Sequence, residues 1–214
     1  MSIYFRRVFE LTGSSRTDAG VHAFQNFLHF DSVVTEQDLS AGVYNMNAIL
    51  PDDIVIRSVR KMSDAAHCRF DAISRTYQYT LYKNKDPFVR DRAFYYPFPL
   101  DIKLLQAAAE IIKRQTHFES FAKKNSQVHT FNCQILESSW LTVPDGLMYR
   151  VEANRFLRGM VRGLTGTMLK VGRGRMSLED FEKIFAARSS AKVEFSVPAH
   201  GLTLQKVRYP LSPI

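Results

Sequence analysis

Residues 15–22 read Ser-Arg-Thr-Asp-Ala-Gly-Val-His and concentrate the groups most able to do chemistry. Asp18 stands two residues after Arg16 and two before Gly20. A guanidinium that close can orient a carboxylate and favour its charged form, and a glycine lets the backbone turn through angles a side chain forbids. The stretch lies between an apolar run ending at Leu11 and an aromatic run beginning at Phe24, so it reads as a loop joining two strands. A carboxylate presented in this way suits nucleophilic or electrostatic catalysis. On composition alone, the commoner reading of such an acid is a turn residue or a surface charge.

A second stretch carries cations. Arg155, Arg158 and Arg162 fall at i, i+3 and i+7 and would line one face of a helix over residues 156–171, opposite Met160, Leu164 and Met168. Gly159, Gly163 and Gly166 flank the arginine side, where each costs up to about 1 kcal/mol against alanine. Close approach of another backbone or of a ligand is the usual reason for such glycines. Arg173 and Arg175, in the glycine-flanked turn that follows, read as phosphate contacts. The bland reading of the arginine stripe is a solvated helix face.

Bulk properties set the bounds. A chain of 214 residues, 45% hydrophobic, can hold one large domain or two small ones. Its 29 Lys and Arg outnumber 21 Asp and Glu, and the net charge of +8 favours a polyanionic partner without identifying it. No apolar run approaches the roughly 20 residues that span a bilayer, and the opening Met-Ser-Ile-Tyr-Phe-Arg-Arg lacks the pattern of a signal peptide, so no membrane is expected and the expected compartment is the cytoplasm. Cys68 and Cys133 are isolated and read as core thiols, and the six histidines are scattered, so neither a disulfide framework nor a metal site is expected.

These side chains need elements to position them. Strands are predicted over residues 8–11 and 24–30, a helix over 35–50 with Thr35 and Asp38 at its start, and a strand over 54–59. Periodicity lapses over 65–74, which suggests a boundary between a first subdomain, residues 1–72, and a second, 73–214. The second begins with a strand over 75–83 that puts Arg75, Tyr77, Tyr79 and Leu81 on one face. A helix capped by Asp101 follows, then a basic loop with Lys123 and Lys124, and two strands near 131–142 and 147–154. The arginine-bearing helix, another begun by Ser177 and Asp180, and a closing strand over 202–209 complete it. That order is ferredoxin-like with one extra helix. The first third matches only the last four elements of that order. As an internal pseudo-repeat, the chain would lack the opening strand and helix of its first copy, roughly 30 to 50 residues.

Four motifs, in order, carry a resemblance to a known family. Arg-Thr-Asp-Ala-Gly-Val-His-Ala at 16–23 closely resembles the signature of the tRNA pseudouridine synthase A (TruA) family, in which the aspartate is catalytic. Arg75-Thr76-Tyr77-Gln78-Tyr79 resembles the family's second motif, whose first tyrosine stacks on the target base and is a candidate for proton transfer. The stretch from Phe156 to Arg162 resembles a motif whose final arginine pairs with that aspartate. Ala199-His200-Gly201-Leu202 resembles the element whose leucine packs against the uracil ring. Ser14-Ser15 departs from the family's usual Ala-Gly. The family's opening Gly-Trp-Gln type motif is absent, the one tryptophan being Trp140, so the chain reads as a member short at its N-terminus, by truncation, a late start codon or divergence.

The resemblance implies an α+β protein of two ferredoxin-like halves with mainly antiparallel sheets and a cleft between them, the first half incomplete. It implies a cofactor-free enzyme that isomerises uridine to pseudouridine in the anticodon stem-loop of tRNA, at nucleotides 38 to 40, and acts as a homodimer. Asp18, Arg162 and Tyr77 would be catalytic, while Arg16, Leu202, Arg158, Arg173 and Arg175 would bind substrate. The alternative is a non-catalytic tRNA-binding or RNA-folding protein that lost activity with its N-terminal region. A basic α+β domain with neither role is the third reading.

Overall fold

A computed structural model describes residues 1–123 and 128–210. Lys124 of the basic loop lies outside the described residues. In chain order the helices are α1 (Ser2–Phe5), α2 (Glu36–Ala41), α3 (Val43–Asn47), α4 (Ile102–Arg114), α5 (Met160–Gly172) and α6 (Leu178–Ala187). The strands are β1 (Thr12–Gly13), β2 (His22–Ala23), β3 (Leu28–His29), β4 (Ser74–Tyr82), β5 (Phe94–Tyr95), β6 (Ile135–Val143), β7 (Gly146–Ala153) and β8 (Leu202–Arg208). The chain divides into two compact units. One comprises Met1–Ser15, Phe27–Asp71 and Tyr209–Ile214, and the other Arg16–Asn26 with Ala72–Arg208. The stretch that carries Asp18 therefore clusters with the second unit, away from its neighbours in sequence.

The second unit is built on a six-stranded sheet in the order β2-β8-β4-β7-β6, with β5 beside the end of β4. Taking β4, β6, β7 and β8 as first to fourth, the order is fourth, first, third, second, with every neighbouring pair antiparallel. This is the ferredoxin-like arrangement expected from the element order. Local chemistry explains its parts. The Asp101 carboxylate accepts the amides of Lys103 and Leu104 and starts α4, and Ser177 accepts the Asp180 amide and starts α6. The turn between β6 and β7 uses Asp145 at φ 60°, and Gly146 follows because a Cβ there would run into the Leu81 carbonyl.

Its core is dense. Tyr79, Leu105, Ile112, Tyr149, Leu164 and Met168 are essentially inaccessible, and each such aliphatic contributes about 1.5–3 kcal/mol on burial. Trp140 of β6 donates its indole N–H to the Met168 sulfur at 3.3 Å, tying the sheet to α5. Cys133 is a buried core thiol, pushed up to about 11 by burial, the nearby charge of Arg155 acting the other way.

One prediction is corrected here: α5 begins at Met160, four residues later than its pattern suggests. Gly159 holds φ 74° at its N-terminus, so Arg155 and Arg158 precede the helix and share no helical face with Arg162.

The first unit has short elements. Its strand pairing is β1 with β3, two residues each. Thr35 caps α2 as expected, but the helix breaks at Gly42, where a Cβ would come within 2.8 Å of the Tyr4 ring. Residues 8–11 and 54–59 form no strand. At 54–59 the reason is visible: the Asn47 side-chain amide accepts from the Ile56 N–H at 2.8 Å and donates to the Ile56 carbonyl at 2.9 Å, taking the place of a neighbouring strand.

Candidate active site

The Asp18 loop is shaped by a turn and then fastened to a strand. The Val21 amide bonds to the Asp18 carbonyl at 3.1 Å, and Gly20 takes φ 80°, the left-handed region where a side chain is strained. A Cβ on Gly20 would also press within 3.4 Å of that of Ala199. β2 then pairs in parallel with β8, His22 opposite Thr203 and Ala23 opposite Leu204. The Phe24 amide extends the pairing to the Leu204 carbonyl at 2.8 Å. His22 Nε2 lies 2.7 Å from the Asp91 carbonyl. The loop is thus held at both ends of a short reach, with the Asp18 side chain about one-third exposed (31%).

Two guanidiniums meet that carboxylate. Arg162, in the first turn of α5, places Nη1 4.0 Å from Asp18 Oδ2, and Arg158 places Nε 3.6 Å from Oδ1. Arg162 is also locked from behind: its Nε donates to the Val197 carbonyl at 2.8 Å and its Nη2 to that of Phe195 at 3.4 Å. The glycines of α5 explain why those carbonyls are within reach. A Cβ on Gly163 would come within 2.8 Å of the Phe195 ring, and one on Gly166 would run into the Glu194 carbonyl. These glycines admit the neighbouring 193–195 segment, its side chains at Gly163 and its backbone at Gly166.

Tyr79 completes the support. Its hydroxyl donates to the Pro198 carbonyl at 2.7 Å, and its ring fills the space a side chain on Gly201 would need. Burial raises the Tyr79 phenol well above its ordinary range, although the Arg162 charge pulls the other way, so it stays a neutral donor. In the antiparallel register Tyr77 faces Leu204 and Tyr79 faces Leu202. Tyr77 and Leu202 are therefore diagonal neighbours on one sheet face, about 7–8 Å apart. Both are buried, and the Tyr77 ring meets the edge of Phe156 at 5.1 Å between centroids.

This arrangement sets one carboxylate between two guanidiniums, one of them, Arg162, close enough to Tyr79 for its charge to act on the phenol. A model of the family described as tRNA pseudouridine synthase matches residues 115–210. The chain is 38% identical over 210 residues to the tRNA pseudouridine synthase A of Parabacteroides distasonis, a match that covers 98% of this chain and 83% of that one. The chain belongs to the tRNA pseudouridine synthase A family. The synthase A of Porphyromonas gingivalis is 38% identical over 213 residues, covering 98% of this chain and 84% of its own. That of Bacillus licheniformis is 35% identical over 201 residues, covering 93% and 81%.

For this family member the structure brings some of the expected residues together and leaves others apart. Asp18, Arg158 and Arg162 converge, and Tyr77 and Leu202 share a face with Tyr79, which stands beside Arg162. Arg16 does not join them: it is exposed and forms no ion pair with Asp18 among the described residues. A guanidinium in open water keeps its hydration, while Asp18 is drawn to the two arginines near α5. Arg173 and Arg175 lie at the other end of α5 from Arg162, about 16 Å along its axis at 1.5 Å per residue. Arg173 stacks over the Phe98 ring at 4.1 Å, and Arg175 is exposed. Neither touches the Asp18 site.

Sequence reasoning missed two contributors. Tyr79 was placed on the face of Tyr77 by its period of two but given no role, and the strap at 195–198 carried no motif. Among the described residues, no cluster of three or more His, Cys, Asp and Glu side chains could hold a metal ion, and no helix is long and apolar enough to cross a membrane.

Proposed function

We propose that the protein isomerises uridine to pseudouridine in the anticodon stem-loop of tRNA, at nucleotides 38 to 40, with Asp18 as the catalytic carboxylate. The observation that carries this is the setting of Asp18: partly open to solvent and held by Arg162, which is itself fixed on two backbone carbonyls.

The reaction breaks the C1′–N1 bond of the nucleotide, turns the freed uracil and forms C1′–C5. The C5 proton leaves and N1 gains one. An anionic carboxylate held against the sugar and ring stabilises the separated fragments or bonds to one of them. Tyr77 stacks on the base and Leu202 closes the apolar side of the pocket, so the detached ring turns without escaping. The target must leave its stack, at a cost of a few kcal/mol recovered in pocket contacts. A net charge of +8 supplies attraction for the RNA backbone. The reading extends to a cytoplasmic homodimer, which rests on the family resemblance.

Release of tritium from tRNA labelled at C5 of uridine tests the proposal, because that hydrogen is lost only if C5 is rebonded. Release confined to transcripts with uridine at 38 to 40 supports the assignment. Binding of tRNA without release would instead favour the non-catalytic RNA-binding reading.

A further inference from the structure

Asp18 has two arginines, and they are not equivalent. Arg162 is 22% exposed and anchored by hydrogen bonds to the Val197 and Phe195 carbonyls, with its Nη1 4.0 Å from Asp18 as an ion pair. Arg158 is 58% exposed, its contact to Asp18 at 3.6 Å is longer than a hydrogen bond, and its guanidinium makes no other ion pair or hydrogen bond among the described residues. Its root is nevertheless fixed. The Arg158 carbonyl accepts from the Lys123 amide at 2.9 Å, and Gly159 next to it is in the left-handed region at φ 74°. Arg158 thus has a fixed backbone and a free head, with most of its planar fork of donors unused.

An exposed carboxylate–guanidinium pair of this kind is weak and screened by salt. A phosphate offers the same fork two parallel charge-assisted bonds, the geometry that arginine favours. A nucleotide whose C1′ comes up to Asp18 brings its flanking phosphates within reach of any side chain that already touches Asp18. We propose that Arg158 exchanges partners when RNA binds: it holds Asp18 Oδ1 in the empty site and moves to a phosphate flanking the target uridine, leaving Oδ1 free while Arg162 keeps Oδ2. The empty site pairs two cations with one anion, and the occupied site pairs two with two, so the exchange strands no charge. This inference rests on the proposed reaction at Asp18.

A cycle that combines a protein substitution with a neutralised phosphate tests it. Two anticodon-arm RNAs are compared, one native and one with a neutral methylphosphonate at a phosphate flanking the target uridine, tried on the 5′ and the 3′ side. For the unmutated protein, neutralising the right phosphate weakens binding about tenfold. Arg158→Gln weakens binding of the native RNA about as much, loses nothing further on the methylphosphonate RNA, and makes the log-log salt dependence shallower by just under one unit, the share of a single phosphate contact. Arg158→Lys, which keeps the charge without the fork, restores the salt dependence but only part of the affinity. Losses that add in the Arg158→Gln protein on both sides, or a salt dependence that does not change, overturn the exchange. Tritium release by the unmutated protein on native RNA is scored separately, so that failure of the proposed reaction is told apart from failure of the exchange.

Discussion

The two units of this chain use similar sequence patterns with different results. In the second, alternating and helical patterns become strands of seven to nine residues and helices of ten to thirteen around side chains with no exposure. In the first, the pattern of Leu39, Val43, Met46 and Leu50 yields two helices of six and five residues, and the alternation at 54–59 yields no strand. Among the described residues of that unit the buried apolar side chains are Leu39 and Met46, while Val8, Val33 and Tyr44 are 90%, 84% and 82% exposed. Propensity and periodicity are weak preferences, and they become regular structure where a complementary face is available to bury against. The catalytic candidate follows the same division, since Asp18 lies in a loop fastened to the dense unit.

The strongest test of that division is Asp18→Asn. The amide nearly keeps the shape of the carboxylate but cannot act as an anionic centre, so isomerisation should fall at least a hundredfold, an increase of about 2.7 kcal/mol in the barrier. Melting temperature and tRNA affinity should not fall with it. Residual turnover above about one per cent would remove Asp18 from the catalytic role.

A paired substitution tests the difference in packing itself. Leu164→Ala empties space in the core between α5 and its neighbours and should cost about 2–5 kcal/mol in chemical denaturation. Val55→Ala, in the first unit at 64% exposure, should change stability by no more than about 0.5 kcal/mol. Equal losses would mean that the first unit packs its apolar side chains as the second does.

The same difference sets how much was legible in the sequence. The caps at Asp101 and Ser177 and the two strands near 131–142 and 147–154 were readable because each signal is local and each element finds its partner. The start of α5 was misread because Phe156 and Leu157 continue the apolar period, while the conformation of Gly159 is decided by the turn it has to make. Asp18 and Arg162 were legible as pieces of motifs. Their meeting was legible only through the family resemblance; periodicity does not require it, since it depends on Gly20 against Ala199 and on parallel pairing of two strands far apart in sequence. The pairing of Arg16 with Asp18 that their spacing suggests does not form, for the opposite reason: proximity in sequence does not make an ion pair when better-placed charges arrive from elsewhere.

Tyr79 is a subtler case. A tyrosine in an alternating strand reads as core, and its bond to Pro198 spans 119 residues. Tyr79→Phe keeps the ring against Gly201 and removes only the hydroxyl. It should cost about 0.5–1.5 kcal/mol of stability. If the bond also positions the strap that holds Arg162, kcat should fall several-fold with KM little changed. A lower melting point with kcat intact would assign the hydroxyl to stability alone.

The smallest effect expected is on pH dependence, and its sign follows from two carboxylates of the dense unit. Burial pushes the Glu152 carboxyl up, but hydrogen bonds from Ser74 and Arg208 and the charge of Arg208 outweigh it and leave the group below its ordinary value of 4.5. Glu194 is lowered chiefly by its hydrogen bond with Ser196, helped by Lys170. A carboxyl whose value drops on folding binds fewer protons in the native state than in the unfolded chain. Its contribution is therefore fully present above about pH 4.5 and is lost as pH falls through the native value. Glu152→Gln removes the charge but keeps a polar group beside Ser74, so the unmutated protein should be the more stable at neutral pH. That advantage should shrink as urea denaturation is followed from about pH 6 down to about pH 3.5. A gap that stays constant across that range would show that Glu152 contributes through its shape and hydrogen bonds, with no part played by its charge.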